Sequence, residues 1–292
     1  MSASFVSLAA AAAQEHPDWH WYAIADAAQD TTLPMALASR SATAYCLLGA
    51  EQGSPLAAKA PHLVALNAPD TRDNAWLWIA RHASKTPAVT VLASVWDRQT
   101  LLEHFVRFTE AVLPDGEDMI LAFWDPAILG TLVGQFDDET LHVPGPVLNP
   151  EQRSNFLAPL AAWCYWDRDA QQHSIDVKAL STETAKFPLR LDQAQVDALV
   201  EASVPDHLLH YIDLNQPQLL AQIPKPDRYA TVRKHLLHAR QLGIDGMGDM
   251  LNFVCAGFLY KETFHTDPTI AHLLEQVGTK GLTLDQAMDQ FP

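Results

Sequence analysis

Asp115-Gly116-Glu117-Asp118-Met119-Ile120-Leu121-Ala122-Phe123-Trp124-Asp125-Pro126-Ala127-Ile128-Leu129 reads as a turn, a buried strand and a helix start in direct succession. Pro114, Asp115 and Gly116 stop the preceding helix, because proline cannot continue it and glycine supplies the freedom a tight turn needs. Every residue from Met119 to Trp124 is apolar, so neither face of the segment is meant for water, and the reading is a central strand. Asp125 can accept hydrogen bonds from the free N–H groups of a new helix, with Pro126 at the first helical position, where its missing N–H costs nothing. The competing reading of Asp125 is a catalytic carboxylate. Asp267-Pro268 opens a second apolar-periodic helix in the same way, which favours the cap.

Outward from this stretch, short strands alternate with helices. Trp19 to Ala25, Ala44 to Leu48, His62 to Leu66, Val89 to Val95 and Leu160 to Trp166 are apolar runs of strand length. Thr31 to Ser39, Thr71 to Ala83 and Ala127 to Phe136 suit helices. From an N-cap at Asp97, the residues Leu101, Phe105, Phe108 and Val112 form one stripe at steps of three and four, which predicts a helix reaching Val112. Glu103 and Arg107 lie on its wetter side. Pro144 to Pro150 is a rigid loop.

The character changes near Phe187. Beyond it the chain carries only helical patterns, opened by a capping box in which Asp192 faces Gln195 and Leu191 faces Val196. Further helices are expected over 205–211, 216–222, 227–242, 247–264, 268–278 and 284–290. The expected fold class is therefore an α/β lobe over residues 1–186, a mixed sheet flanked by helices, followed by an all-α lobe over 187–292.

Composition excludes several function classes. The chain has 292 residues, a 48% apolar content ample for a packed core, and a formal charge of −16. Nucleic-acid binding draws on clustered Lys and Arg, and here the basic residues are few and scattered. The longest apolar stretch, Phe156 to Trp166, is interrupted by Pro159 and falls short of a membrane span. Ser7 to Ala13 resembles the core of a signal peptide, but the first basic residue is Arg40, so a short helix is the better reading. Cys46, Cys164 and Cys255 lie far apart in apolar surroundings, as reduced thiols of a cytosolic protein do. A soluble, cytoplasmic protein is expected.

Candidate chemistry is sparse. His207 with His210, and His235 with His238, stand three apart, a spacing that can place two imidazoles on one helical face. Neither pair has a fixed acidic partner, so no metal and no cofactor are expected. The glycine cluster from Gly243 to Asp249 follows a helix rather than a strand, and reads as a helix-to-helix turn in place of a phosphate loop. No serine elbow, nucleotide loop or dinucleotide fingerprint occurs. Eight tryptophans are many for one core. Trp76, Trp78, Trp124, Trp163 and Trp166 are accordingly the candidate partner-binding anchors, and Asp115, Gly116, Asp125 and Pro126 the structural motif.

The order of these features resembles the effector-chaperone, or adaptor, family of bacterial type VI secretion. Tyr22-Ala23-Ile24-Ala25-Asp26 is similar to the family's opening strand and acidic turn, and Ala60-Pro61-His62-Leu63-Val64 to its apolar strand. His104 to Asp125 resembles its helix, Leu-Pro-Asp-Gly turn and aromatic Asp-Pro signature, and Phe156 to Leu160 its Phe-Gly-Pro segment. The helical tail, with Ala239 to Ile244, is also similar. Members commonly carry arginine where Ala122 and Ala127 stand, and glycine where Ala158 stands, so contacts of those arginines are not carried over. The resemblance implies a non-enzymatic cytoplasmic adaptor that binds one secreted toxin, the effector, and helps to load it onto the spike protein VgrG or its PAAR-tipped end. The alternative is a small-molecule α/β enzyme using acidic residues at strand ends, such as Asp26 and Asp125.

Overall fold

The computed structural model describes residues 2–30, 32–33, 36, 43–51, 53–83, 85–183, 185–261 and 263–292, leaving aside the side chains of 2–4 and 265. The helix expected over Thr31 to Ser39 lies largely outside the described residues. The chain divides into two compact units, Met1–Ala202 and Ser203–Pro292.

The first unit is built on one six-stranded sheet. Its strands are β1 (His20–Asp26), β2 (Thr43–Cys46), β3 (Pro61–Leu66), β4 (Val89–Ser94), β7 (Leu160–Trp166) and β8 (Gln172–Ser174), in the spatial order β2-β3-β1-β4-β7-β8. Each neighbouring pair runs antiparallel. Successive side chains of a strand point to opposite faces, and β1 uses both. Trp21, Ala23 and Ala25 enter one core with Phe5, Val6 and Ala9 of α1 (Ser2–Glu15) and Trp76, Ile79 and Ala80 of α2 (Asn74–Ala83). Tyr22 and Ile24 enter the other, against Leu101 and Phe105 of α3 (Arg98–Val106), Leu129 and Leu132 of α4 (Pro126–Val133) and Phe156 of α5 (Pro150–Leu157). The result is an α/β unit with helices on both faces of the sheet, as the alternating pattern predicts.

The opening stretch departs from expectation. Met119 to Trp124 is not a central strand. Asp118–Ile120 forms β6, which pairs only with β5 (Glu110–Val112) in a separate two-stranded hairpin, and Ile120 is 59% exposed. The cause is the turn: Gly116 has φ +92°, Gly116 N–H donates to the Leu113 carbonyl, and Leu113 N–H donates to the Glu117 carbonyl. A turn this tight brings its two flanks together, so each becomes the other's partner. Leu121, Phe123 and Trp124 then leave the strand and enter the core. The same hairpin ends α3 at Val106 rather than Val112, and Phe108 and Val112 fill the core from outside the helix.

Asp125 is the expected cap. One carboxylate oxygen accepts from Ala127 N–H at 2.8 Å and Ile128 N–H at 3.3 Å, and Pro126 opens α4. Asp97 caps α3 through Thr100 N–H at 2.9 Å. The capping box at α6 (Gln193–Asn215) is also present: Asp192 N–H donates to Gln195 Oε1 at 3.0 Å and Gln195 N–H to Asp192 Oδ1 at 2.9 Å.

A helix-rich region follows β8. α6 continues through Pro205, where two separate helices were expected, and the boundary between the two compact units falls within it. Leu189, Leu191 and Leu199 pack in the first unit's core. The second unit contains α7 (Pro217–Leu220), α8 (Arg228–Gln241), α9 (Met247–Tyr260), α10 (Thr263–Thr266), α11 (Pro268–Gly278) and α12 (Leu284–Met288). Its core gathers Leu236, Phe253, Val254, Phe264, Ile270 and Ala287. Among the described residues, no helix is long and apolar enough to cross a membrane.

Candidate functional site

One end of the sheet gathers carboxylates. Both β1 and β7 run antiparallel to β4, so their C-terminal ends lie at the same end of the sheet on either side of β4; Asp26 ends β1 and Asp167 directly follows β7. Asp125, just before α4, and Asp138, in the loop after it, line with Asp167 a cleft of about 20 Å³ to which Tyr165 and Arg168 also contribute. That is room for about one water. Gln29, from the loop after β1, donates to Asp125 Oδ2 at 2.8 Å.

Burial dominates the electrostatics. It pushes Asp125 up to about 6, with the Arg168 guanidinium and the capping N–H groups pulling the other way and Asp26 adding to the rise. Asp26, 3% exposed, is raised by burial too. Deeper in, Asp138 Oδ1 accepts from Thr140 N–H at 2.9 Å and Thr140 Oγ1 at 2.6 Å, and its Oδ2 accepts from Tyr165 hydroxyl at 2.8 Å. Asp167 Oδ1 accepts from Asp169 N–H at 2.9 Å and Gln171 N–H at 2.8 Å. His173, on β8, bridges two carboxylates, with Nε2 2.8 Å from Asp167 Oδ2 and Nδ1 3.2 Å from Asp137 Oδ2. Burial opposes a charged His173, but the hydrogen bonds to Asp167 and Asp137 together with the charges of Asp138 and Asp167 outweigh it and hold the imidazole above the ordinary histidine value.

The tryptophans mostly require a correction. Trp76, Trp124, Trp163 and Trp166 are buried, at 0%, 7%, 1% and 5% exposure, and present no anchor to a partner. The two-faced sheet consumes them. Trp163 packs with Phe105 and Phe156 at ring separations of 5.6 and 5.4 Å, while Trp21 meets Trp76 edge to face. Trp78 is only partly buried and stacks on His82. Exposed apolar side chains are scattered over both units, among them Val95 and Trp96 beyond β4, Ile120 on the hairpin, Phe136 in the loop after α4, and Leu214 and Leu259 in the helical unit. A sequence signal existed for Val95-Trp96, since they stand between the strand and the cap at Asp97. For Phe136 there was none.

The structural motif is placed as described above, Asp115 and Gly116 in the hairpin turn and Asp125 with Pro126 at α4. His207 and His210 are exposed, whereas His235 is buried against Phe258 and Phe264 and His238 faces Phe253. The glycine cluster is the expected turn between α8 and α9, Gly243 having φ +72°. Cys46, Cys164 and Cys255 are free thiols.

The fold and its exposed surfaces thus define an antiparallel-sheet α/β unit joined to a helical unit. Residues 21–143 match the model of a family described as a domain of unknown function, DUF4123. The match opens within β1 and ends in the loop beyond Asp138. No curated protein matches the chain, and no solved structure does.

Proposed function

We propose that this protein is a cytoplasmic adaptor of bacterial type VI secretion, which binds a cognate secreted toxin and helps to load it onto the VgrG spike or its PAAR-tipped end. The observation that carries this reading is the match over residues 21–143. It spans three of the ordered motifs on which the resemblance rests: Tyr22 to Asp26, Ala60 to Val64, and His104 to Asp125. Exposed apolar side chains support it, because an adaptor must offer surface to a client. With most tryptophans buried, Trp96 at 36% exposure and Phe136 at 70% take their place as candidate anchors. Co-expression with a candidate toxin from a neighbouring gene tests the reading. The complex is expected to co-purify, Trp96→Glu and Phe136→Glu to weaken it, and loss of the adaptor to abolish secretion. A toxin that is soluble, loaded and secreted without this protein overturns it.

The enzyme reading draws on one observation, the convergence of Asp26 and Asp125 with raised affinity for protons. Against it stands the size of the cleft, about 20 Å³ where small-molecule sites hold roughly 300–1,000 Å³. A turnover abolished by Asp26→Ala and by Asp125→Ala would restore it.

A further inference from the structure

The buried cluster beneath the cleft contains two polar atoms that need a positive charge between them. Asp137 Oδ2 stands 3.2 Å from His173 Nδ1, and a neutral imidazole carries a single N–H, so when that proton sits on Nδ1 the other nitrogen, Nε2, keeps a lone pair. Yet Nε2 lies 2.8 Å from Asp167 Oδ2, itself an acceptor. Two lone pairs at that distance repel unless a proton or a metal ion sits between them. The surroundings decide what kind of charge fits. Asp138 and Asp167 are 3% and 6% exposed, so two buried carboxylates stand against one imidazole. A single proton leaves an excess of buried negative charge, which is costly in a low-dielectric site.

We propose that Asp138, Asp167 and His173 form a site for a divalent transition-metal ion of the Zn2+ class. One ligand atom from each lies within 4.8 Å of the others. The three residues come from three separate segments: the loop after α4, the turn directly after β7 and the middle of β8. Each is oriented from behind, Asp138 by Thr140, Asp167 by the Asp169 and Gln171 N–H groups, and His173 by Asp137. Metal-ligating histidines and carboxylates characteristically carry such outer partners. Two carboxylates and one imidazole suit Zn2+ or Mn2+, whereas Ca2+ takes six to eight oxygens. A metal held at about 2.0–2.2 Å by both His173 Nε2 and Asp167 Oδ2 sets these atoms slightly further apart than a shared proton does. The cleft lined by Asp138 and Asp167 leaves room for about one water as a further ligand. The bound ion ties the edge hairpin of β7 and β8 to the loop after α4.

The test is calorimetric titration of the chelator-stripped full-length protein with Zn2+, and separately with Mn2+, alongside thermal unfolding with and without metal. One equivalent of Zn2+ per chain and a raised Tm are expected. Asp167→Asn and His173→Gln should weaken binding by more than the roughly 10–100-fold that loss of an outer partner costs. Asp137→Asn, whose native side chain is 71% exposed and whose replacement leaves the fold intact, should weaken it roughly tenfold. Absence of saturable binding overturns the proposal and leaves His173 a protonated clamp. Binding unchanged in Asp167→Asn and His173→Gln also overturns it, and if those variants fail to fold, unchanged binding in Asp137→Asn does the same.

Discussion

Asp125 carries two opposed roles in one carboxylate. As a cap it satisfies two N–H groups of α4, and as a buried group its pKa is pushed to about 6. The folded value lies above the unfolded one, so this group's contribution to stability is complete below about pH 4 and is lost as the pH rises through 6. Across that window the loss is at most about 3 kcal/mol, since each tenfold change in proton affinity is worth about 1.4 kcal/mol. Asp125→Asn keeps a capping oxygen and removes the charge. Its stability relative to wild type should be highest at pH 7–8 and fall toward pH 4, measured as Tm against pH; parallel curves would refute the assignment. Asp125→Ala should be less stable than Asp125→Asn by about 0.5–2 kcal/mol, the worth of the cap. The Asp-Pro pair made this cap legible in sequence. The raised pKa was not, because it depends on burial by the folded chain and on Asp26 arriving from a distant strand, against the opposing charge of Arg168.

A second residue-scale case is Gly257, near the C-terminal end of α9, where a Cβ would lie 2.5 Å from His235 Cε1 and Nδ1. His235 is 4% exposed and packed edge-on against Phe258 and Phe264, so its ring has little room to retreat. Gly257→Ala should destabilise the helical unit by about 1–3 kcal/mol despite alanine's better helix propensity. Adding His235→Ala should recover part of the loss. Equal additive losses in the double variant would show that the two do not meet.

At the scale of elements, the hairpin of β5 and β6 shows where sequence reading stops. An all-apolar run from Met119 to Trp124 carries the signature of a buried strand, and most of it is buried. What the run does not encode is how that burial is reached. Ile120 points to water, while Leu121, Phe123 and Trp124 are drawn into the core as irregular chain. The turn at Gly116 was the stronger signal, since closing a hairpin outranks joining a distant sheet. Gly116→Ala places a side chain at φ +92° and should cost about 1–2 kcal/mol, read from the thermal midpoint. An unchanged midpoint would mean that the turn readily adopts another shape. The capping box at α6 was fully legible, because all its partners lie within four residues. β8, three residues long, was not.

On the scale of the whole molecule, the alternation of strands and helices up to Trp166 and the helical patterns beyond Leu191 gave the fold class directly. Composition changes near Phe187, yet Leu189, Leu191 and Leu199 still pack with the first unit, and the boundary between the compact units falls between Ala202 and Ser203. Burial of Leu191 and Leu199 depends on residues far away in sequence, which a local reading does not contain. The placement of the tryptophans was lost for the same reason: a sheet with helices on both faces doubles the interior available to large side chains. Net charge belongs to this scale as well. At −16 the protein should leave duplex DNA unretarded in a mobility-shift assay at physiological salt. A retarded band that dissolves with added salt would contradict that.

The sheet of the first unit ends in β2, four residues long, on one side and in β8, three residues long, on the other. Short borders are poor templates. A sticky chain laid along either gains only a few main-chain bonds before the strand runs out, too few to seed stacked growth. In the proposed adaptor role, such borders would limit recruitment of this protein into aggregates of its client. In that proposed role a client would be held through side chains rather than along a strand edge, a grip that can be released.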